Sequence, residues 1–155
     1  MKKRLMLGIL LSLTVCIASV FVSVFAVQAE PTDVKGDINC DGVCDLKDYK
    51  LLRRKLWNLS IADPVDETKF DFNGSGNVSN DDLSAMSVYL WDNNGDGKFD
   101  KNDYKMIEKY LSGYNLEAFN EAWLKKADFD GDGTVDLSDL NGVGNEVYEV
   151  WSGRY

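Results

Sequence analysis

A twelve-residue pattern of oxygen-bearing side chains occurs four times in this chain and limits its fold more than any other feature. It is clearest in residues 92–103, with oxygen-bearing side chains at positions 1, 3, 5, 9 and 12, glycine at 6 and an aromatic residue at 8. Alternate residues of such a loop can direct oxygens at one hard cation, and glycine permits the sharp turn. Residues 37–48, 71–82 and 128–139 follow the same template, so the chain contains four copies of one loop.

The template predicts the ligands of four metal sites. Side chains at positions 1, 3, 5 and 12 would bind directly, position 7 would offer its main-chain carbonyl, and position 9 would bind directly or through water. The candidate ligands are Asp37, Asn39, Asp41, Val43, Asp45, Asp48, Asp71, Asn73, Ser75, Asn77, Ser79, Asp82, Asp92, Asn94, Asp96, Lys98, Asp100, Asp103, Asp128, Asp130, Asp132, Thr134, Asp136 and Asp139. The chain has no histidine, and all-oxygen ligands exclude the usual zinc and copper sites. Flexible loops rich in oxygen favour Ca2+ over magnesium.

Most of the acidic excess lies in these loops. Fifteen of the 26 acidic residues stand at positions 1, 3, 5, 9 or 12 of a loop. Beyond residue 29 the chain has 14 basic and 26 acidic residues, a net charge of −12. Such a charge disfavours binding to nucleic acid or to anionic lipid. It indicates cation binding, with residues 71–82 as the weakest loop because they offer only two carboxylates, Asp71 and Asp82.

The first 29 residues read as an export signal. Lys2, Lys3 and Arg4 precede an almost wholly apolar run over residues 5–27, and residues 27–29 offer a plausible cleavage site. This pattern predicts a signal peptide over residues 1–29 and a secreted, extracellular protein. An uncleaved membrane anchor is the alternative, because an apolar run of this length can also span a bilayer.

Two cysteines, Cys40 and Cys44, stand at positions 4 and 8 of the first loop. Export permits a disulfide between them. Position 8 of the other loops is Val78, Phe99 or Val135, which indicates instead that Cys44 is a small buried apolar residue. Both interpretations stand at this point.

A helix is predicted after every loop, over residues 46–57, 80–91, 101–111 and 137–151. Apolar residues recur there at positions 13, 16 and 20 counted from the loop start, which gives each helix one apolar face. A further amphipathic helix is predicted over residues 116–127, entering the fourth loop. No loop–helix unit can bury its apolar face alone, so the units must pair. The predicted fold class is all-α, built from paired calcium-loop–helix repeats.

The spacing of the loops separates this chain from helix-loop-helix calcium sensors. The loops start at residues 37, 71, 92 and 128, giving steps of 34, 21 and 36. A step of 21 leaves room for one helix between the second and third loops, whereas a sensor needs two. Position 12 is aspartate in all four loops, where sensors usually have glutamate.

These features resemble the repeats of type I dockerins, whose unit is an F-hand, an EF-hand-like calcium loop followed by one helix. The resemblance is strongest in residues 36–54 and covers nearly all of the chain beyond residue 29. It implies two tandem dockerin-like modules, residues 30–91 with the first two loops and residues 92–155 with the last two.

The resemblance implies a function in adhesion. Dockerins bind cohesin modules of scaffold proteins in cellulosome-like complexes that degrade polysaccharides, usually through loop positions 10 and 11 and helix positions near 17 and 18. The implied partner-binding residues are Leu46, Lys47, Arg53, Arg54, Lys101, Asn102, Leu137 and Ser138. Only the first repeat has a basic pair at positions 17 and 18, so the four repeats do not present equivalent surfaces.

Two other functions are compatible with parts of the pattern. An exported calcium-binding protein, a buffer or a structural protein without a cohesin partner, would need the same loops. A small glycosidase would need a pair of free carboxylates. Most acids are committed to the loops and no organised nucleophile is present, so we expect neither enzymatic activity nor a small-molecule substrate.

Overall fold

A computed structural model describes residues 33–151, and its helices alternate with the four loops. The helices are α1 Leu46–Leu56, α2 Asn80–Trp91, α3 Lys101–Leu111, α4 Glu121–Ala127 and α5 Leu137–Trp151, with 3-10 turns at Glu67–Phe70 and Leu116–Ala118. No strand occurs within the described residues. The all-α prediction is confirmed. The predicted signal segment, residues 1–29, lies outside the described range.

The loops' own side chains start the helices that follow them. At α1 the side chain of Asp45, at loop position 9, accepts a hydrogen bond from the main-chain N–H of Lys47, and Asp48, at position 12, accepts one from the N–H of Asp45. This reciprocal capping box satisfies N–H groups that a helix start leaves unpaired. The same arrangement begins α2 and α3. Each loop therefore defines the first turn of its helix.

The helices pack as the loop pairs predict. Helix α1 lies against α2, and α3 lies against α5, so the first two repeats form one pair and the last two form another. We call residues 33–91 the first half and residues 92–151 the second half. The buried core of both halves consists of Ile38, Tyr49, Leu52, Phe70, Phe72, Leu83, Met86, Trp91, Phe99, Ile107, Ala127, Phe129 and Val143.

The two halves share this core around one side chain. Trp91, the last residue of α2, is 3% exposed. Its ring centroid lies 4.8 Å from that of Tyr49 in the first half and 4.5 Å from that of Phe129 in the second. Helix α2 also contacts α4. Within the described residues, 33–151, the halves are therefore packed against each other in one compact unit.

The segment before the fourth loop differs from the prediction of one helix over residues 116–127. A 3-10 turn covers only Leu116–Ala118, Phe119 is extended, and α4 begins at Glu121. The side chain of Asn120 accepts a hydrogen bond from the N–H of Trp123 at 2.9 Å and so caps a new helix. The rings of Phe119 and Trp123 pack on Tyr110. These aromatic contacts offset the stability lost with the missing helical turn.

Candidate functional site

The aspartate at position 12 connects the two ends of every loop. In the first loop one carboxylate oxygen of Asp48 accepts hydrogen bonds from the N–H groups of Ile38 and Asn39, at 2.8 and 3.0 Å, while the other accepts from Asp45 at 2.9 Å. Asp82, Asp103 and Asp139 bridge their loops in the same way. All four are buried. The position-12 carboxylates therefore have a structural role as well as their predicted role as ligands.

The aspartate at position 1 organises the turn of the loop. In the third loop Asp92 accepts hydrogen bonds from the N–H groups of Gly95, Asp96 and Gly97 at 2.7 to 3.2 Å. Asp128 receives the corresponding three bonds in the fourth loop. Glycine at position 6 has positive φ in all four loops, between 81° and 92°. The main chain thus bends around the carboxylate of position 1, as a loop that encloses a cation requires.

Position 4 of the first loop departs from the other three. There Cys40 has φ of 61°, whereas the remaining loops have glycine with similar positive φ. A side chain in this left-handed region is strained. Cys40 and Cys44 are both free thiols. Burial, together with the charges of Asp48, Asp45 and Asp37, raises the pKa of the Cys44 thiol to about 12. Cys44 is therefore a neutral, half-buried side chain, which agrees with its interpretation as a small apolar residue rather than as half of a disulfide.

The carboxylates of the fourth loop converge. Asp128, Asp130 and Asp139 each offer an oxygen, and these oxygens lie within 4.8 Å of one another. Desolvation and the charges of Asp139, Asp132 and Asp128 raise the pKa of Asp130. Burial likewise raises the pKa of Asp48 and of Asp103. Carboxylates gathered in this way disfavour their own charge, and a bound cation removes that penalty. The residues present therefore fit a hard divalent ion.

The second loop has the same main-chain frame but fewer charges. Asp71 accepts from the N–H groups of Ser75 and Gly76 at 2.9 and 2.7 Å, as its counterparts do. Positions 5 and 9 are Ser75 and Ser79, and both hydroxyls already contact their own loop or helix. Lower charge at equal geometry predicts weaker cation binding here.

The predicted partner-binding residues fall into two groups. Most are exposed: Lys47, Arg54, Lys101, Asn102, Leu137 and Ser138. Leu46 is half-buried, and Lys47 pairs with the loop carboxylates of Asp41 and Asp45 at 3.3 and 3.6 Å. Arg54 donates to the main-chain carbonyl of Ser60. Arg53 differs from the other seven residues because its guanidinium hydrogen-bonds to a residue of the second half.

Glu146 of α5 is a residue that the sequence pattern did not single out. It is 8% exposed and accepts a hydrogen bond from Arg53 Nη1 at 2.6 Å. Its other oxygen accepts from the hydroxyl of Tyr49 at 3.3 Å. The only sequence signal is its place between Val143 and Val147, a buried and a half-buried apolar residue one turn apart on α5. A charged side chain there needs a buried partner.

Asn93, at position 2 of the third loop, is also unexpected. The other loops have Ile38, Phe72 or Phe129 at this position, all buried. Asn93 is equally buried, and no described residue donates to or accepts from its side-chain amide. A buried amide without a partner destabilises a fold.

Comparison with known proteins gives one family. The model of the Dockerin type I domain matches the chain twice in tandem, over residues 35–91 and 90–147. No curated protein and no solved structure matches the chain. Among the described residues, no helix is both long enough and apolar enough to cross a membrane. The two matches cover more than half of the chain and contain all four loops, and the chain therefore belongs to the type I dockerin family.

Proposed function

We propose that this protein is an exported adaptor that docks, in its calcium-bound form, to a cohesin module of a scaffold protein in a polysaccharide-degrading complex. Type I dockerins bind calcium through EF-hand-like loops and bind cohesin modules of scaffold proteins in cellulosome-type complexes. They are non-catalytic modules and are generally extracellular. The observation that carries the proposal is the tandem family match over four loops with one shared hydrogen-bond pattern.

The proposed ligands of calcium are the side chains at positions 1, 3, 5, 9 and 12 and the carbonyl at position 7 of each loop. Calcium would supply the positive charge that the converging carboxylates lack. The chain's own residues fix the loop ends: position 12 joins the loop start to the following helix, and position 1 holds the turn. Loop closure and helix orientation are thus linked, because the same side chains serve both.

The proposed docking surface comprises positions 10 and 11 of the loops and positions 17 and 18 of the helices. In the second half its members Lys101, Asn102, Leu137 and Ser138 are exposed, and Leu137 is 66% exposed. A large exposed apolar side chain beside polar ones is typical of a protein-binding surface. Export through the segment of residues 1–29 is part of the proposal, as is the absence of catalytic activity in this chain.

The test is isothermal titration of the purified chain with a panel of type I cohesin modules, in excess calcium and in excess EGTA. We expect binding with calcium, no binding with EGTA, and recovery when calcium is restored. Asp103→Asn should weaken binding, because it removes the negative charge and one oxygen of a proposed ligand. Asp63→Asn, an exposed acid outside the loops, should leave it unchanged.

Two results would contradict the proposal. Cohesin binding of equal strength in EGTA would show that the loops do not shape the docking surface. Failure of every cohesin to bind a chain that still takes up calcium would favour the second candidate, an exported calcium-binding protein without a cohesin partner. Calcium uptake on its own does not separate these two functions, since the same carboxylates serve both.

A further inference from the structure

The two halves meet at a surface that includes a proposed docking residue. We call this contact the seam and define it by Tyr49 and Arg53 of α1, Trp91 of α2, Phe129 of the fourth loop and Glu146 of α5. The Arg53–Glu146 ion pair joins residues 93 positions apart at 2.6 Å, and the Tyr49–Glu146 hydrogen bond joins residues 97 positions apart at 3.3 Å. Both contacts therefore connect the first half to the second.

The guanidinium of Arg53 is held on several sides at the seam. Besides its bond to Glu146, it lies 5.8 Å from the ring centroid of Tyr49 and 5.4 Å from that of Trp57. The side chain of Arg53 is 23% exposed and that of Glu146 is 11% exposed. Shielding from water strengthens such a pair relative to one on the surface. A partner that binds this guanidinium must first break its hydrogen bond to Glu146.

A surface ion pair on the same helix provides a comparison. Lys55 of α1 pairs with Glu67 at the same distance, 2.6 Å, but the two side chains are 41% and 67% exposed. Arg54, the next residue after Arg53, is exposed and donates to the main-chain carbonyl of Ser60, its one hydrogen-bond acceptor among the described residues. Of the two arginines in the first repeat, only Arg53 is therefore covered by the other half of the chain.

We propose that the seam closes the Arg53 part of the first docking surface, so that the intact chain takes one cohesin, on the second half. This inference rests on the proposed function, which supplies the partner. The second-half residues Lys101, Asn102, Leu137 and Ser138 remain exposed and form the open surface. Because Glu146 neutralises Arg53, the basic pair of the first repeat is reduced to Arg54. The seam thereby sets both the number of partners and the side on which they bind.

The first experiment measures the state of Arg53 without any cohesin. The full chain with calcium is treated with phenylglyoxal, and the modification rates of Arg53 and Arg54 are compared by peptide mass spectrometry. We expect Arg53 to react about tenfold more slowly than Arg54, as a hydrogen-bonded, shielded charge should. Glu146→Gln should raise the rate at Arg53 about tenfold, since a neutral amide holds a guanidinium less strongly. Glu67→Gln, the matched control, should leave it unchanged. Equal rates at Arg53 and Arg54 in the unaltered chain would overturn the proposal, whatever the variants do.

The second experiment measures stoichiometry with a cohesin by sedimentation and titration. We expect one cohesin per chain and a loss of about tenfold or more for Leu137→Glu, which places a charge on the open surface. Glu146→Gln should admit a second cohesin. Two cohesins on the unaltered chain, or a tenfold loss with Arg53→Ala at unchanged helical content, would refute a closed surface. If no cohesin binds at all, the proposed function fails, and the labelling rates still decide whether the seam holds Arg53.

Discussion

Replacing Trp91 with alanine tests whether the two halves depend on one shared core. The side chain is 3% exposed and touches Tyr49 in the first half and Phe99 and Phe129 in the second, with ring centroids 4.5 to 5.6 Å apart. Truncation of a buried tryptophan to alanine costs about 3 to 5 kcal/mol. The aromatic contacts of the ring contribute to this cost together with the lost burial. We therefore expect a loss of about 4 kcal/mol in the free energy of unfolding.

The measurement is urea unfolding of the calcium-saturated chain followed by circular dichroism. A domain of this size has a total stability of about 5 to 15 kcal/mol, so the variant should unfold at a much lower urea concentration. Trp57→Ala is the matched control, because Trp57 ends the first repeat but is 45% exposed. Its cost should stay near that of a surface substitution, about 1 kcal/mol or less.

The location of the effect decides between a shared core and two separate ones. Amide hydrogen exchange should accelerate in both α1 and α5 of the Trp91→Ala variant, since the ring packs against both halves. A cost no larger than that of Trp57→Ala, or faster exchange in α1 with α5 unchanged, would refute the reasoning. In that case the halves would be stable independently and the seam would be a minor contact.

Three further predictions concern single side chains. Asn93→Val should raise the free energy of unfolding by about 1 to 2 kcal/mol in the same urea assay. It replaces a buried amide without a described partner by an apolar residue, which is what the other loops have at this position. A loss of stability would show that the amide does have a hydrogen-bond partner. Cys40→Gly should raise the free energy of unfolding by about 0.5 to 1 kcal/mol, because a residue with a side chain is strained at φ of 61°. The control is Ala118→Gly in a 3-10 turn, which should not raise stability. Maleimide at neutral pH should label Cys40 well before Cys44, because Cys40 is exposed and burial raises the pKa of Cys44 to about 12. Mass spectrometry measures the two labelling rates, and equal rates would contradict the burial of Cys44.

The local parts of the fold were predictable from sequence because their causes are local. The bounds of α2, α3 and α5 agree with the prediction, and α1 ends at Leu56, one residue earlier than expected. Helices α1, α2 and α3 each start at a capping box that belongs to the loop template itself. At the start of α5, Asp139 accepts a hydrogen bond from the N–H of Asp136, and Asp136 accepts one from the N–H of Ser138. The prediction of one helix over residues 116–127 was wrong, because apolar spacing alone does not show that a new helix is capped at Asn120.

The seam was not predictable because its contacts are distant in sequence. Glu146 resembles any exposed acid on an amphipathic helix until Arg53 is brought to it by the packing of the two halves. Arg53 was assigned to partner binding from its helix position, and that assignment remains a prediction, now opposed by the proposal of a closed surface. The metal ligands also remain predictions, although the loops that carry them have the geometry that the pattern implies.

The long range of the seam contacts has a consequence for the order of folding. The hydrogen bonds within the loops join residues no more than 10 positions apart, whereas those of the seam join residues 93 and 97 apart. Short-range contacts close quickly, and contacts between distant residues form late because more chain must be ordered first. The loops and their helices should therefore assemble early. Trp91 lacks its contact with Phe129 until the fourth loop has been synthesised, and Arg53 lacks Glu146 until α5 has followed. During that interval a nascent chain exposes an apolar ring and an unpaired guanidinium that the finished protein hides, and this is the stage at which a chaperone or a premature partner has access to them.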